Sequence, residues 1–165
     1  MFQLKQISRE SIPEALEKAE RYRLLNEPQL AQSICLDVLE ADPENAKATI
    51  TLLLAITDDF ASSSSAGVDQ AQQLLHRLKN DYEKNYYAGI IHERQGMAII
   101  NRKITGGHFV AYDWLNEAMA FYEKAEPIRP KGNDDAILRW NTCIRLIESH
   151  HLVPKNDEHF EPPLE

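Results

Sequence analysis

The residues that come closest to a metal or catalytic motif are His92 and Glu93, with Gly96 three positions further on. They begin like H-E-x-x-H, in which two histidines one helical turn apart hold zinc and the glutamate serves as general base. Gly96 stands where the second histidine would be and offers no ligand atom. The sequence therefore predicts no metal site at this position.

Other reactive side chains also lack the partners that their chemistry needs. Cys35 and Cys143 are the two cysteines of the chain, and their wide separation favours neither a disulfide framework nor a zinc site. Gly106 and Gly107 do not belong to a phosphate-binding loop, and no G-x-S-x-G elbow presents a serine nucleophile. We expect a protein without cofactor, without metal and without enzymatic activity.

Charge and hydropathy limit the partners. The 165 residues carry a net charge of −8, which repels the phosphates that dominate nucleic-acid affinity. Residues 1–6 lack the basic and apolar regions of a signal peptide, and no run of 18 apolar residues suggests a membrane span. We expect a cytoplasmic protein that binds neither nucleic acid nor membrane.

Apolar periodicity predicts an all-α protein of about seven helices. The first begins with Ser11 as N-cap and Glu14 at capping-box distance, and runs to about Leu25. Apolar stripes at helical spacing indicate the others at about 30–41, 46–60, 68–78, 82–104, 110–126 and 134–147. We expect one helical domain over residues 1–152 and an extended, acidic, proline-containing tail over 153–165.

The chain also contains an internal repeat. Four positions match four others, and the two members of each pair are 87 residues apart; for the first pair, 118 − 31 = 87. The first four are Ala31, Cys35, Val38 and Pro43, and their counterparts are Ala118, Tyr122, Ala125 and Pro130.

These matches, with Trp114 leading the second set and Gly89 and Gly96 before it, resemble the tetratricopeptide repeat family. The resemblance covers most of residues 12–148 and implies about three irregular repeats and a capping helix. It implies a right-handed superhelix of antiparallel helix pairs, an α-solenoid whose first helices form a concave wall that binds other proteins. An unrelated helical bundle is the alternative fold.

Transferring the family's inner-wall positions to this sequence gives a mixed apolar and basic groove. Such a groove fits an acidic-hydrophobic segment of an unknown protein. The predicted groove residues are Leu16, Glu20, Arg23, Lys47, Ile50, Leu54, Tyr86, Ile90, Arg94, Asn141 and Arg145.

Three alternatives remain open at the level of sequence. The chain could be a homo-oligomer, for example a homodimer, assembled through its repeat ends or through docking of Phe160 to Glu165 of its tail. It could be an enzyme that uses Glu20, Asp58 and Glu93 as a carboxylate site. Finally, Gly107 to Tyr112 could fold over one edge of the groove as part of an insertion.

Overall fold

A computed structural model describes residues 1–62 and 65–156 of the chain. Within these residues all regular secondary structure is helical, with seven α-helices and no strand, which confirms the all-α prediction. Two short 3-10 turns, Arg9–Ser11 and Glu126–Ile128, accompany them. The helices are α1 Ile12–Leu24, α2 Pro28–Ala41, α3 Ala46–Asp58, α4 Ser65–Leu75, α5 Asp81–Arg102, α6 Gly107–Ala125 and α7 Asp135–Ser149.

The predicted capping box at the start of α1 is wrong. The Ser11 hydroxyl donates to the carbonyl oxygen of Ser8 at 2.8 Å, and the backbone of Ser11 is already helical at φ −84° and ψ −9°. A side chain at the N-cap reaches the first amides of a helix when its own backbone is extended. The preceding 3-10 turn gives Ser11 a helical backbone instead, so its hydroxyl cannot cap α1. Asn45 and Asn80 do cap α3 and α5, accepting from the amides of Ala48 and Glu83 at 2.9 Å and 3.0 Å.

Each helix packs against the next along the chain, and α3 also packs against both α1 and α5. Buried side chains form two clusters. The first centres on α1 to α4 and includes Leu53 and Phe60, and the second centres on α5 to α7 and includes Leu115 and Tyr122. The half-buried Leu54 and Tyr87 contact both clusters and join them. The packing therefore brings α1, α3 and α5 side by side.

Two glycines allow α5 and α6 to approach closely. A Cβ atom at Gly89 would overlap the ring of Tyr122, and one at Gly96 would lie 3.1 Å from the Leu115 side chain. Only glycine lets the two helix axes come this near without displacing those side chains. The structure thus gives a packing reason for the two glycines that contribute to the family resemblance.

The Gly106–Gly107 region differs from its sequence interpretation. The sequence predicted this helix from about residue 110 and left open a flap over residues 107–112, but Gly107 is the first residue of α6, and Gly106 precedes it with a left-handed φ of 73°. The residues that we assigned to an insertion belong to long helices, since α5 has 22 residues and α6 has 19. Gly107 to Tyr112 are therefore helical and do not form a flap over a groove.

The end of the chain is described only in part. The Asn133 side-chain oxygen accepts from the Asp135 amide at 2.9 Å, so it supports the start of α7. Residues 152–156 have no regular secondary structure. The predicted docking of Phe160 to Glu165 lies outside the described residues.

Candidate functional site

A surface cavity of about 580 Å³ opens between α1, α3 and α5. It collects side chains from the same side of three helices, and we call it the α1–α3–α5 groove. Its lining residues are Glu20, Arg23, Leu24, Ala46, Lys47, Ile50, Thr51, Leu54, Glu83 and Tyr87.

The groove has an apolar floor. Ile50, Leu54 and Tyr87 are half-buried, so each keeps part of its apolar surface in contact with solvent. Ile50 and Leu54 are four residues apart on α3, a spacing that puts them on one face of a helix. Burial raises the pKa of Tyr87 to about 12, so its hydroxyl stays protonated and able to donate a hydrogen bond at neutral pH. This floor can cover apolar groups of a ligand.

Charged side chains at the rim are paired with each other. Lys47 Nζ lies 3.3 Å from Glu20 Oε1, and both side chains are about half exposed. Exposed pairs of this kind contribute between 0 and about 1 kcal/mol, because water and salt screen them. A ligand could therefore separate Lys47 from Glu20 at low cost.

A second charged group adjoins the groove and consists of Arg23, Asp58 and Arg94. Arg23 donates to both carboxylate oxygens of Asp58, with Nε at 2.7 Å and Nη2 at 3.3 Å. Arg94 Nη1 lies 3.6 Å from Asp58 Oδ1, beyond hydrogen-bond distance. Across the described part of the chain, the buried Nε of Arg94 finds no hydrogen-bond acceptor. Two guanidinium groups thus share one carboxylate, which leaves one positive charge uncompensated.

A different charged cluster is buried between α5, α6 and α7. Glu93 is only 1% exposed. The Tyr122 hydroxyl donates to its Oε2 at 2.6 Å, and Arg139 Nη1 donates to its Oε1 at 3.0 Å. The charge of Arg139 also acts on Tyr86 and opposes the rise in the pKa of its hydroxyl that burial causes. Both oxygens of the buried carboxylate therefore have a donor.

The Glu93 cluster changes the ionisation of its neighbours. Burial, followed by the Glu93 charge, raises the pKa of Tyr122 and raises that of Cys143 to about 12. Burial would lower the pKa of Arg139, but the charge of Glu93 and the interaction with Tyr86 outweigh it and raise the pKa. Tyr122 and Cys143 are consequently neutral, and Arg139 is charged, at physiological pH.

The two cysteines are free and buried. Burial also raises the pKa of Cys35, to about 11, against a weaker opposing effect of Arg23. A protonated, buried thiol is a poor nucleophile and a poor metal ligand. Cys35 therefore acts as a packing residue of the first core cluster.

His92 is buried beside aromatic rings. Its Nδ1 lies 2.8 Å from the Ala88 carbonyl oxygen, which fixes the proton on Nδ1, and its Nε2 lies 3.2 Å from Glu117. The rings of Trp114 and Phe121 are centred 5.1 Å and 5.0 Å away. Over residues 1–62 and 65–156, no group of three or more His, Cys, Asp or Glu side chains is arranged to hold a metal ion.

Of the predicted groove residues, the structure brings five together around the cavity, and places Arg94 next to them through Asp58. Tyr86 does not line the cavity itself. Its ring is stacked on Tyr82 and lies edge-on to Tyr87, which does line the cavity. The five that line the cavity are Glu20, Arg23, Lys47, Ile50 and Leu54.

Four predicted groove residues are misplaced. Leu16 and Ile90 are 3% and 1% exposed and belong to the two core clusters, so they cannot contact a partner. Asn141 and Arg145 lie on α7, on the side away from its buried residues Ala136 and Cys143, and do not line the cavity. The prediction assigned these four residues correctly to helices, but it placed their side chains on the wrong side of those helices.

Sequence reasoning also missed three residues of these sites. Glu83 and Tyr87 line the groove, and Arg139 holds Glu93. Glu83 and Tyr87 stand four residues apart, with Arg94 seven further on, so helical spacing alone could have placed them on one face of α5. For Arg139 no local signal existed, since its partner is 46 positions away.

Neither a family model, nor a curated protein, nor a solved structure matches this chain. Among the described helices, none is both long and apolar enough to cross a membrane.

Proposed function

We propose that the chain is a helical-repeat protein of the tetratricopeptide type that binds a segment of a partner protein in the α1–α3–α5 groove. The observation that carries the proposal is the groove itself, in which alternate helices of the chain turn one face each to a common cavity of about 580 Å³. In repeat proteins, stacked helix pairs produce extended binding surfaces of this kind. The finer arrangement, a right-handed superhelix, is part of the proposal.

Burial of the repeated positions supports the repeat. Ala31 and Ala118, 87 residues apart, are both fully buried, and so are Cys35 and Tyr122. Matching positions thus have matching environments on α2 and α6, although one pair differs greatly in size. The larger Tyr122 is accommodated because Gly89 faces it on α5.

The chemistry of the groove supports a partner segment that combines an apolar side chain with a carboxylate. Ile50, Leu54 and Tyr87 supply apolar surface, and the uncompensated charge of Arg94 next to Asp58 supplies the anion site. A partner carboxylate that reaches the exposed part of the Arg94 guanidinium would form charge-assisted hydrogen bonds, which are about twice as strong as neutral ones. Lys47 can exchange its weak pairing with Glu20 for a second acidic residue.

The environment of the carboxylates favours binding over catalysis. Glu20, Asp58 and Glu93 each accept or face a cationic group, and Glu93 is enclosed. A general base must reach the proton that it removes. Glu93 has no such access.

Affinity capture with charge-reversal variants tests this function. We expect the wild-type chain to retain a partner that Arg94→Glu loses, while Arg145→Glu, an exposed arginine away from the groove, retains it. Once the partner is identified, calorimetric titration of its acidic segment should show at least a tenfold weaker Kd for Arg94→Glu, which corresponds to about 1.4 kcal/mol.

Salt and folding controls complete the test. The wild-type Kd should increase with ionic strength, because salt screens charge pairing at a site that is partly exposed to solvent. Circular dichroism must show that both variants fold. If all three proteins capture the same partners with the same Kd, the groove assignment is wrong.

A further inference from the structure

The end of the α1–α3–α5 groove that Arg94 adjoins lies near the end of α7, because α5 and α7 run in the same direction. Near the start of both helices, burial raises the pKa of Tyr82, and the charge of the nearby Asp135 adds to this effect. Further along both helices, Arg139 donates to Glu93 at 3.0 Å. The end of α7 therefore lies beside the second half of α5, which carries Arg94.

The tail that follows α7 can reach this groove. Its first residues, 153–156, are exposed to solvent, so the chain leaves the core after Leu152. The next nine residues, 157–165, span about 30 Å when extended. Neighbouring helix axes are about 8–10 Å apart, so α3 lies within about 20 Å of α7. The length of the tail is therefore sufficient to cross α5 and lie along α3.

The acidic residues of the tail match the basic side chains of the groove in charge and in spacing. Arg94 is level with Asp58 on α3, and Lys47 comes 11 residues earlier on the same helix, a distance of about 16 Å. Glu161 and Glu165 are about 13 Å apart in an extended chain, and their side chains cover the remainder. One acid can therefore meet Arg94, where positive charge is in excess, while the next replaces the weak partner of Lys47.

The apolar residues of the tail match the floor of the groove. Phe160 and Leu164 each precede one of these two acids, so they fall along the same stretch of α3 as the floor. Leu24, which also lines the groove, is 88% exposed and offers further apolar surface. Pro162 and Pro163 lie between the two apolar residues, and proline restricts the free chain, which reduces the entropy lost on binding.

We propose that residues 157–165 occupy the α1–α3–α5 groove of their own chain, with Glu161 at Arg94 and with Phe160 and Leu164 on the apolar floor. This rests on the proposed function, because the tail has the chemistry that the groove requires of a partner. A short tether gives the tail an effective concentration in the millimolar range. Neither a free segment of similar affinity nor the tail of a second copy reaches that concentration, so its own tail is the favoured occupant. A partner binds by displacing it.

Competition with a labelled synthetic peptide of the nine tail residues tests the contact, by fluorescence anisotropy on the full-length chain. Phe160→Ser combined with Glu161→Lys and Leu164→Ser frees the groove, so the peptide binds this chain with a Kd about tenfold lower than the wild-type chain. Adding Arg94→Glu raises that Kd at least tenfold, whereas the matched control Arg145→Glu leaves it unchanged. Equal Kd values for the wild-type and tail-substituted chains, or no binding to either, overturn the proposal.

Light scattering after size exclusion separates the chain's own groove from that of a second copy. Occupation within one chain leaves the wild type with the mass of one chain at every concentration. A wild type of twice that mass, reduced to one chain by the tail substitutions, shows that the tail docks on a second copy and overturns the proposal.

The two proposals fail separately. If Arg94→Glu loses a captured partner but the tail substitutions leave the peptide Kd unchanged, the partner-binding function stands and the tail contact is wrong. If the peptide binds in the expected way and the tail-substituted chain captures no partner, the tail contact stands and the partner-binding function is wrong.

Discussion

Two carboxylates on neighbouring helices meet arginine in opposite ways. Asp58 on α3 borders the α1–α3–α5 groove and faces two guanidinium groups, of which Arg94 remains poorly bonded. Glu93 on α5 lies in the core, with one guanidinium and one phenol each donating to one of its oxygens. Positive charge is in excess around the partly exposed Asp58 and is balanced around the enclosed Glu93.

The difference follows from the cost of burial. A buried ion loses its hydration, so it persists only where hydrogen bonds replace the water. The Arg94 side chain is 31% exposed, so water reaches part of its guanidinium even though its Nε is buried without an acceptor, and the exposed part stays available to a ligand. We therefore expect the Glu93 cluster to control stability, and the Arg94 position to control binding.

The largest effect is expected for Arg139→Gln. It leaves Glu93 enclosed without its cation and should lower the free energy of unfolding by about 2–3 kcal/mol. This is less than for a fully buried pair, because about a third of the Arg139 side chain is exposed. Urea denaturation measures it, and Glu93→Gln added to Arg139→Gln should recover part of the loss. A change below about 0.5 kcal/mol would contradict the central role of the pair.

Gly89→Ala should act on the same cluster through packing. Its added methyl group would overlap the Tyr122 ring and push the hydroxyl away from Glu93. Overpacking costs about 1–3 kcal/mol, and the intrinsic helix preference of alanine offsets about 1 kcal/mol of this. Gly96→Ala is the control, because its Cβ would meet Leu115 at 3.1 Å, a contact that a small shift relieves. Equal thermal unfolding of the two variants would show that Tyr122 is not held in place.

Alkaline pH should affect the buried cluster next. The pKa of Cys143 is about 12 in the folded chain and about 9.0 when unfolded, so its contribution is complete below pH 9 and decreases as pH rises towards 12. Each such group reduces stability by up to about 1.4 kcal/mol per pH unit in this window. We expect the free energy of unfolding, measured by denaturation at pH 8 to 11, to decrease less steeply with pH for Cys143→Ala than for the wild type. Parallel curves would show that the thiol titrates normally.

The smallest effect is expected for Arg94→Gln, the same substitution at the other arginine. Asp58 keeps both hydrogen bonds from Arg23, and Arg94 lies beyond hydrogen-bond distance, so the free energy of unfolding should change by less than about 0.5 kcal/mol. Urea denaturation beside Arg139→Gln gives the comparison directly. A loss as large as that of Arg139→Gln would remove the distinction between the two sites.

The candidate site was predictable in part. Transferring the inner-wall positions of the repeat family placed Ile50 and Leu54 in the groove, and both line it in the structure. The same reasoning placed Leu16 and Ile90 in the groove, although both lie in the core. Periodicity fixes which residues share a face of a helix, but not whether a particular apolar residue lies at the middle of the buried stripe or at its solvent edge.

The sequence by itself determined the helices. Apolar stripes, the prolines that follow α2 and α6, and the caps Asn45 and Asn80 act within one or two helical turns, so they are legible without the rest of the chain. Only the tertiary structure decided what the helices enclose. The Arg139–Glu93 and Arg23–Asp58 pairs join residues 46 and 35 positions apart, and such contacts depend on how whole helices pack. A sequence pattern that spans one or two helical turns does not predict such long-range packing.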